Sequence, residues 1–244
     1  MLEKTFCHIS GVSESAEKKI LDEVCCWNDF LENFDSLSCL PKKKLEKIRN
    51  EILFSKDRLI ENDLKYFKEN LPSKQHFRLA NYGRIGYLDI ETTGLSKYTD
   101  DLTVVGIYDG ENPFLYVNGQ NLEEVRDKLG EFDIIVTFNG KCFDVPFLEH
   151  YFDCKFDFVH LDLRYLLKEL GLSGGLKNIE IELGITRCDE VQGIDGFEAV
   201  RLWRRYKRDG DKSALDKLLK YNEEDIVNLK DLLEYYLKEK SKVF

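Results

Sequence analysis

The sequence predicts an α/β fold in which five strands and their flanking helices follow a small, all-helical N-terminal region. Two observations support this prediction. Up to about residue 80, apolar residues recur at helical spacing between polar ones. From Tyr82 onward, short apolar runs bounded by glycine, asparagine and aspartate indicate strands. With 244 residues, of which 43% are hydrophobic, the chain is large enough for one or two domains.

The N-terminal region, residues 1–80, is predicted to contain short helices separated by breaks. Ser13 precedes a run with apolar residues at helical spacing and is a candidate N-cap. Pro41 suits the first turn of a second helix. A third helix, NDLKYFKENL, is expected to end before Pro72. We therefore expect residues 1–80 to form a helical domain of their own.

Residues 81–244 are predicted to form a second domain, in which strands are followed by alternating helices and strands. The first three predicted strands are GRIGYLDIE, LTVVGIYDG and PFLYVNG. Short turn segments join them, which indicates an antiparallel meander. A helix, the buried strand DIIVTF, a second helix and the strand DFVHLDL follow, and the remainder is predicted to be helical.

The acidic charge of the chain is unevenly distributed. The first 80 residues carry 14 Lys and Arg and 14 Asp and Glu, so the net charge of −10 comes from residues 81–244. Such a total superficially argues against a nucleic-acid partner. Carboxylates gathered around divalent cations contribute to an acidic surplus, and so does an ordinary solvated surface. The net charge alone therefore excludes neither a nucleic-acid-binding protein with a metal site nor a protein whose acids are merely solvated.

Cysteine usage and hydropathy indicate a cytoplasmic protein without a membrane partner. Seven unevenly spaced cysteines give no disulfide framework, which favours a reducing compartment. No apolar run approaches the roughly 18 residues that a membrane-spanning helix needs. The first residues, MLEKTFCHIS, do not have the pattern of a signal peptide.

Two carboxylates stand close to the end of the first predicted strand, in the segment YLDIETTGLS. Side chains alternate along a strand, so Asp89 and Glu91 point to the same face. Two such carboxylates repel each other unless a cation lies between them, and hard cations such as Mg²⁺ prefer oxygen ligands. The alternative is a strand end with two solvated acids. Gly94 and the threonines before it favour a ligand site, because a chain without bulky side chains lets a ligand approach the backbone.

Two further segments carry candidate site residues. Asn139 and Gly140 follow the strand DIIVTF, and Asp144 then begins a predicted helix, where an N-cap role is the alternative. In the last long helix, Tyr221 and Asp225 are four residues apart and therefore share one face. There the alternative is a packed tyrosine beside a solvated aspartate.

Together, DIETTG, NGKCFD and YNEED resemble the three motifs of the DEDD superfamily of 3′–5′ exonucleases. The tyrosine in the third motif is typical of the DEDDy subset. The order of elements is similar to that of a ribonuclease H-like fold, which implies a mixed five-stranded sheet. Three further segments resemble the YprB-type ribonuclease H-like exonuclease family: TFCHISGVSESAEKKIL, GLKNIEIELGITR and AVRLWRRYKRDGDKSALDKLLKYNEEDIVNL. Members of that family often carry histidine where this chain has Tyr221.

The resemblance implies a catalytic centre with two divalent metal ions, Mg²⁺ or Mn²⁺. Asp89 would bridge the two ions, and Glu91 and Asp225 would complete the site of the ion that holds the attacking water. Asp144 would serve the second ion. Tyr221 would orient the water by a hydrogen bond, because a phenol with a pKa near 10 is a poor base at neutral pH.

The same resemblance implies 3′–5′ exonuclease activity on single-stranded DNA or RNA. It assigns substrate binding to five residues: Thr92, Thr93, Gly94, Leu95 and Asn139. Two other functions stay open. One is a catalytically idle nucleic-acid-binding or scaffolding protein with the same fold, and the other is a structure-specific endonuclease.

Three features outside these motifs have both a functional and a structural interpretation. Residues 8–21 resemble one helix-hairpin-helix unit, which would bind a phosphate or serve only for packing. The basic run RLWRRYKR would bind a nucleic-acid backbone and stack on bases, or lie against the acidic surface of the protein itself. Asp162, close to His160, would support the metal centre or simply cap a helix.

Overall fold

The computed structural model describes residues 1–242. The chain divides into two compact units. Of the described residues, one unit contains Met1–Gly83 and residues 240–242, and the other is Arg84–Glu239. Within residues 1–242, no helix is both long enough and apolar enough to cross a membrane.

The first unit is helical, as the sequence predicts. Its α-helices are α1 (Glu14–Leu21), α2 (Trp27–Glu32), α3 (Lys42–Ile60) and α4 (Leu64–Asn70). The predicted N-cap is confirmed, because the Ser13 side chain accepts a hydrogen bond from the Ala16 N–H at 3.3 Å. The apolar run that follows is split between α1 and α2. The Asp29 carboxylate accepts the Cys25 N–H at 2.7 Å, which fixes the turn before α2.

The core of this unit is aromatic. Phe6, Trp27, Phe30 and Phe67 are fully buried. All seven cysteines of the chain are free. The predicted boundary at residue 80 and the helix-hairpin-helix likeness of residues 8–21 stay predictions.

The second unit is built on a mixed five-stranded sheet. Its strands are β1 (Ile85–Thr92), β2 (Leu102–Tyr108), β3 (Pro113–Val117), β4 (Ile134–Thr137) and β5 (Val159–Asp162). Their order across the sheet is β3-β2-β1-β4-β5. The first three strands are antiparallel, as predicted for a meander, and β4 and β5 run parallel to β1. The predicted fold class is therefore confirmed.

Six α-helices of the described chain accompany this sheet. They are α5 (Val125–Leu129), α6 (Asp144–Tyr151), α7 (Leu163–Lys168), α8 (Leu176–Leu183), α9 (Gly196–Asp209) and α10 (Lys212–Ser241). One apolar cluster joins Leu88 and Ile90 of β1 to Phe147 of α6. A separate cluster joins Val104 of β2 to residues of α9 and α10, among them Leu202 and Leu218.

These two clusters explain the orientation of β1. Leu88 and Ile90 alternate with Asp89 and Glu91, so the apolar pair packs toward α6 while the acidic pair faces away from that cluster. Parallel pairing of β1 with β4 extends only from Ile85 to Tyr87 among the described residues. The later part of β1 is thus left free of β4, which opens a gap where the site residues gather.

Candidate metal centre

Three carboxylates from two elements meet at the end of β1. Asp89 and Glu91 come from β1 and Asp225 comes from α10, and each offers an oxygen within 4.8 Å of the others. Glu91 and Asp225 are buried and Asp89 is half-buried. These are three of the four predicted metal ligands, and the spacing suits a divalent cation that takes oxygen ligands.

The fourth predicted ligand, Asp144, approaches the same place from α6. It is the first residue of that helix and is buried. Its Oδ1 accepts the backbone N–H of Ile90 at 3.2 Å, across the gap between β1 and β4. Asp144 lines the same cleft as the other three acids, although it lies outside the tight group of three oxygens.

Burial and mutual repulsion disfavour the charged form of these acids. Burial raises the pKa of Asp89 and of Glu91 well above the usual carboxyl range, and the charges of Asp225 and Asp144 raise it further. Burial also raises the pKa of Asp144 to about 7 and that of Asp225 to about 6. A bound cation would remove this penalty, because it neutralises the carboxylates it touches.

Tyr221 lies one helical turn before Asp225 and is buried at the edge of the cleft. Burial raises the pKa of its phenol, and the charge of Asp225 adds to the effect. The Lys177 Nζ lies 4.7 Å from the centre of its ring, and the Arg187 guanidinium lies 5.7 Å from it. The phenol therefore keeps its proton at neutral pH.

Asn222 is a site residue that the sequence analysis missed. It is fully buried, and its amide donates to the Asp89 Oδ2 at 2.8 Å. Gly106 lies opposite Asp89 on β2, and a Cβ there would come within 2.1 Å of the Asn222 Oδ1. Gly106 thus lets the amide lie against the sheet. A glycine inside an apolar strand was the available signal, since it marks close approach of another group.

Arg187 was also missed. Its guanidinium forms a two-pronged ion pair with Glu180, with N–O distances of 2.6 and 2.7 Å, and it also contacts the Asp225 carboxylate. The Asn228 amide donates to the same Glu180 carboxylate at 3.0 Å. All three charged side chains are buried. This network fixes Asp225 from the side of α8.

The loop that carries the second motif is held by Asp162. Its carboxylate accepts the backbone N–H groups of Asn139 at 2.8 Å and of Lys141 at 3.0 Å. It also caps α7 through the Arg164 N–H. The helix-cap interpretation of Asp162 is therefore confirmed, and the same carboxylate positions the loop before Asp144. His160 is packed and bonds to Thr137 at 2.9 Å.

The predicted substrate-binding residues line a cleft of about 860 Å³ that also contains the four acids. The Thr92 hydroxyl donates to the Gly94 carbonyl, and the Thr93 hydroxyl accepts the Asp101 N–H, so both are used within the loop after β1. Leu95 is 88% exposed. Asn139 reaches the cleft while its side-chain oxygen accepts from Arg164 at 2.7 Å.

Helix α9 supplies another wall of the cleft. Phe197, Arg201 and Arg204 line it, whereas Trp203 is buried in the apolar cluster beneath the helix. The basic run was predicted to stack on bases through its aromatic residues. Trp203 is not accessible for that role.

The chain matches the family described as the RNase_H superfamily over residues 86–237. It therefore belongs to the ribonuclease H superfamily. No curated protein matches it.

Solved structures to which this chain is similar include the following three. The family B DNA polymerase of the hyperthermophilic archaeon Pyrobaculum calidifontis is 16% identical, with a TM-score of 0.54, over 64% of this chain and 24% of the polymerase chain. A nuclease in its apo form is 20% identical, with a TM-score of 0.45, over 68% of this chain and 79% of the nuclease chain. NrnC of Brucella melitensis bound to pGG is 23% identical, with a TM-score of 0.43, over 67% of this chain and 78% of the NrnC chain. The polymerase likeness shows the fold, and this chain spans about a quarter of the polymerase.

Proposed function

We propose that this protein is a metal-dependent 3′–5′ exonuclease that hydrolyses phosphodiester bonds in single-stranded nucleic acid. The observation that carries the proposal is the group of three carboxylate oxygens within 4.8 Å of one another, with Asp144 beside it. The motif set supports the assignment to the DEDDy subset and to the YprB-type family. That motif set alone supports the 3′–5′ direction.

The donor set fits hard divalent cations such as Mg²⁺ or Mn²⁺. All four side chains offer oxygen, and their crowding in a buried place is costly without added positive charge. Asp89, Glu91 and Asp225 would hold one ion, and Asp89 and Asp144 would hold the second. When bound, two such ions activate a water and stabilise the charge that develops on the phosphate and the leaving oxygen.

The remaining side chains hold the reacting groups in place. Tyr221 keeps its proton because its pKa is raised, so it orients the attacking water by a hydrogen bond. Asn222 fixes the Asp89 carboxylate by donating to its Oδ2. The loop with Thr92, Thr93 and Gly94 would receive the terminal nucleotide, with the exposed Leu95 against its base.

A second function, an idle nuclease fold that only binds nucleic acid, is favoured by one observation. Arg187 already gives Asp225 a positive partner without any metal. If this ion pair persists, Asp225 would be withheld from the metal. A structure-specific endonuclease would use the same four acids and differ only in where it cuts.

The experiment uses 5′-labelled single-stranded DNA and RNA oligonucleotides with Mg²⁺, Mn²⁺ or EDTA. We expect products that shorten stepwise from the 3′ end, only with metal, and a loss of at least about 1,000-fold in Asp89→Asn. The matched control is Asp127→Asn, an exposed aspartate of α5, which should cleave like the wild type.

Two further results would assign the alternatives. Cleavage of a circular or 3′-blocked strand would replace the exonuclease with an endonuclease. Binding of both strands without cleavage under any metal would support the idle fold and contradict the proposed hydrolysis.

A further inference from the structure

Helix α9 carries the basic run RLWRRYKR, whose five cations differ sharply in their surroundings. Arg205 contacts Asp211 at 2.5 Å, and Arg208 forms two bonds of 2.8 Å with Asp209. Lys207 lies over the ring of Trp203, 5.6 Å from its centre. These three side chains are thus occupied by local partners on the protein surface.

The other two cations, Arg201 and Arg204, line the cleft that holds the carboxylates. Arg201 makes one exposed ion pair, with Glu198 at 3.3 Å, and such pairs contribute little. Arg204 forms no ion pair with any residue in the described part of the chain. Both guanidinium groups are therefore available to an anion that enters the cleft.

The packing of α9 fixes this orientation. Ala199, Leu202 and Trp203 are buried in the apolar cluster that also contains Leu218 of α10. Phe197, Arg201 and Arg204 are spaced i, i+4 and i+7, so they share one face of the helix. Phe197 is 81% exposed at the rim of the cleft. The helix cannot turn this face away without exposing its apolar side.

We propose that this face, the Phe197–Arg201–Arg204 face, is a binding track for the single strand that leads to the metal centre. Arg201 and Arg204 bind phosphates next to the one being cleaved, and Phe197 stacks on a base. The proposal rests on the proposed function, because it takes the substrate to be a nucleic-acid strand. It explains how an acidic protein with four carboxylates at the cleft attracts a polyanion.

Charge complementarity favours this occupant. Acids occupy the inner end of the cleft, where only a metal-bound phosphate would be tolerated, and guanidinium groups occupy the wall. Exposed arginines beside an exposed aromatic ring suit a backbone of phosphates that carries flat bases. Asp195 also lines the wall, at the start of α9, where it accepts the Glu198 N–H at 2.9 Å. Its negative charge places the phosphates toward Arg204 and away from the beginning of the helix.

The test measures binding without cleavage, in the 244-residue Asp89→Asn chain with Mg²⁺ and a 5′-fluorescent single-stranded oligonucleotide. Two double variants carry the same change in charge on the same helix. Arg201→Gln with Arg204→Gln should weaken binding at least tenfold. Arg205→Gln with Arg208→Gln should weaken it less than about twofold, because those side chains do not line the cleft.

The salt dependence gives a second readout. Each contact to a phosphate of a single strand contributes about 0.7 to the magnitude of the slope of log affinity against log salt concentration. Arg201→Gln with Arg204→Gln removes two such contacts, so the magnitude of this slope should fall by about 1.4. Phe197→Ala should weaken binding roughly five- to 100-fold with the slope unchanged, since stacking releases no counterions. Equal weakening by both double variants, or a slope that does not change, would overturn the proposal.

A cleavage assay separates this proposal from the proposed function. In an otherwise wild-type chain, Arg201→Gln with Arg204→Gln should slow hydrolysis of a longer strand while a dinucleotide, which has a single scissile phosphate, is cut at the wild-type rate. Equal loss on both substrates would contradict a binding track. If neither substrate is cleaved but the two double variants differ in binding as described, the proposed exonuclease activity is contradicted and the proposed binding track is supported.

Discussion

Two buried groups of charge in this molecule are handled in opposite ways. In the helical unit, Glu17 accepts hydrogen bonds from the Phe6 N–H and the Thr5 hydroxyl, both at 2.6 Å, and Arg78 lies 3.9 Å away. In the sheet unit, Asp89 and Glu91 face two further acids, and burial raises the pKa of both.

Hydrogen-bond donors and charge partners distinguish a buried acid that stabilises the fold from one that binds a ligand. Glu17 has donors of its own, and a buried charge that is hydrogen-bonded and paired serves the fold. Glu91 receives no hydrogen bond from the residues that the structure describes, and burial and the charges of Asp225 and Asp144 raise its pKa against the smaller opposite effect of Lys177. A group of acids whose charge the chain balances only in part, here through Arg187 at Asp225, indicates a cation from outside.

The largest expected effect comes from Arg187, the cation that the chain itself places among the acids of the sheet unit. Arg187→Met would leave Glu180 and Asp225 buried without their partner, and we expect a loss of about 3–5 kcal/mol in the free energy of unfolding. Urea denaturation of the wild type and of Arg187→Met in EDTA measures this difference in the free energy of unfolding.

The control for this variant is Arg205→Met, whose side chain is exposed and whose substitution should cost less than about 0.5 kcal/mol. Saturating Mg²⁺ should restore only part of the loss in Arg187→Met, because Glu180 lies away from the metal ligands. A stability equal to that of the wild type would show that the network is not formed.

The next effect sets Glu17 directly against Glu91. Glu17→Gln removes the charge that its donors stabilise, so the free energy of unfolding should fall by about 2–3 kcal/mol. Glu91→Gln removes one repelling charge, so the metal-free protein should melt at a higher temperature than the wild type. Thermal denaturation in EDTA at pH 8 measures both. If both substitutions raise the melting temperature, or both lower it, the contrast drawn between Glu17 and Glu91 is wrong.

The stability of the metal-free protein should depend on pH through the acidic cluster. The pKa of Asp225 is raised to about 6 and that of Asp144 to about 7 by burial, so the folded state binds more protons than the unfolded chain. This contribution is fully present below about pH 4 and is lost as the pH rises through 6 and 7. The gain in melting temperature on adding Mg²⁺ should therefore grow from pH 5 to pH 8.

Asp89→Asn is the control for the pH experiment, because it removes a ligand and a repelling charge together. The rise in its melting temperature on adding Mg²⁺ should be small at every pH. A gain in the wild type that is constant across this range would contradict a cluster of acids with raised pKa values.

The smallest effect is expected for Tyr221, which touches the site without adding charge to it. Tyr221→Phe keeps the ring against Lys177 and Arg187 but removes the hydroxyl, so hydrolysis should slow by about 10- to 100-fold. Tyr206→Phe on α9 is the control and should leave the rate unchanged. An unchanged rate in Tyr221→Phe would mean that the phenol only fills space.

Much of the site follows from periodicity in the sequence. Alternation along β1 places Asp89 and Glu91 on one face, and helical spacing places Tyr221 one turn from Asp225. Short turns between the first three strands predicted their antiparallel meander. Each of these rests on residues that are near one another in the chain, whereas the mixed five-stranded sheet was implied by the resemblance to the ribonuclease H-like fold.

What the sequence did not reveal depends on contacts between distant residues. Asn222 reaches Asp89 across 133 positions, through space that Gly106 leaves open. Arg187 meets Asp225 across 38 positions. For Asn222 the sequence offers only an indirect signal, the glycine at position 106 inside an apolar strand, and packing decides which residue fills the space beside it. The burial of Trp203 was accessible to sequence reasoning, since Ala199 and Leu202 share its side of α9.

A Mn²⁺ titration followed by electron paramagnetic resonance tests most directly whether the acids at the end of β1 bind a divalent cation. We expect saturable binding to the wild type, strong weakening in Asp225→Asn, and wild-type binding in Asp216→Asn, an exposed residue of the same helix. Equal binding by both variants, or none by the wild type, would contradict a metal site at these acids.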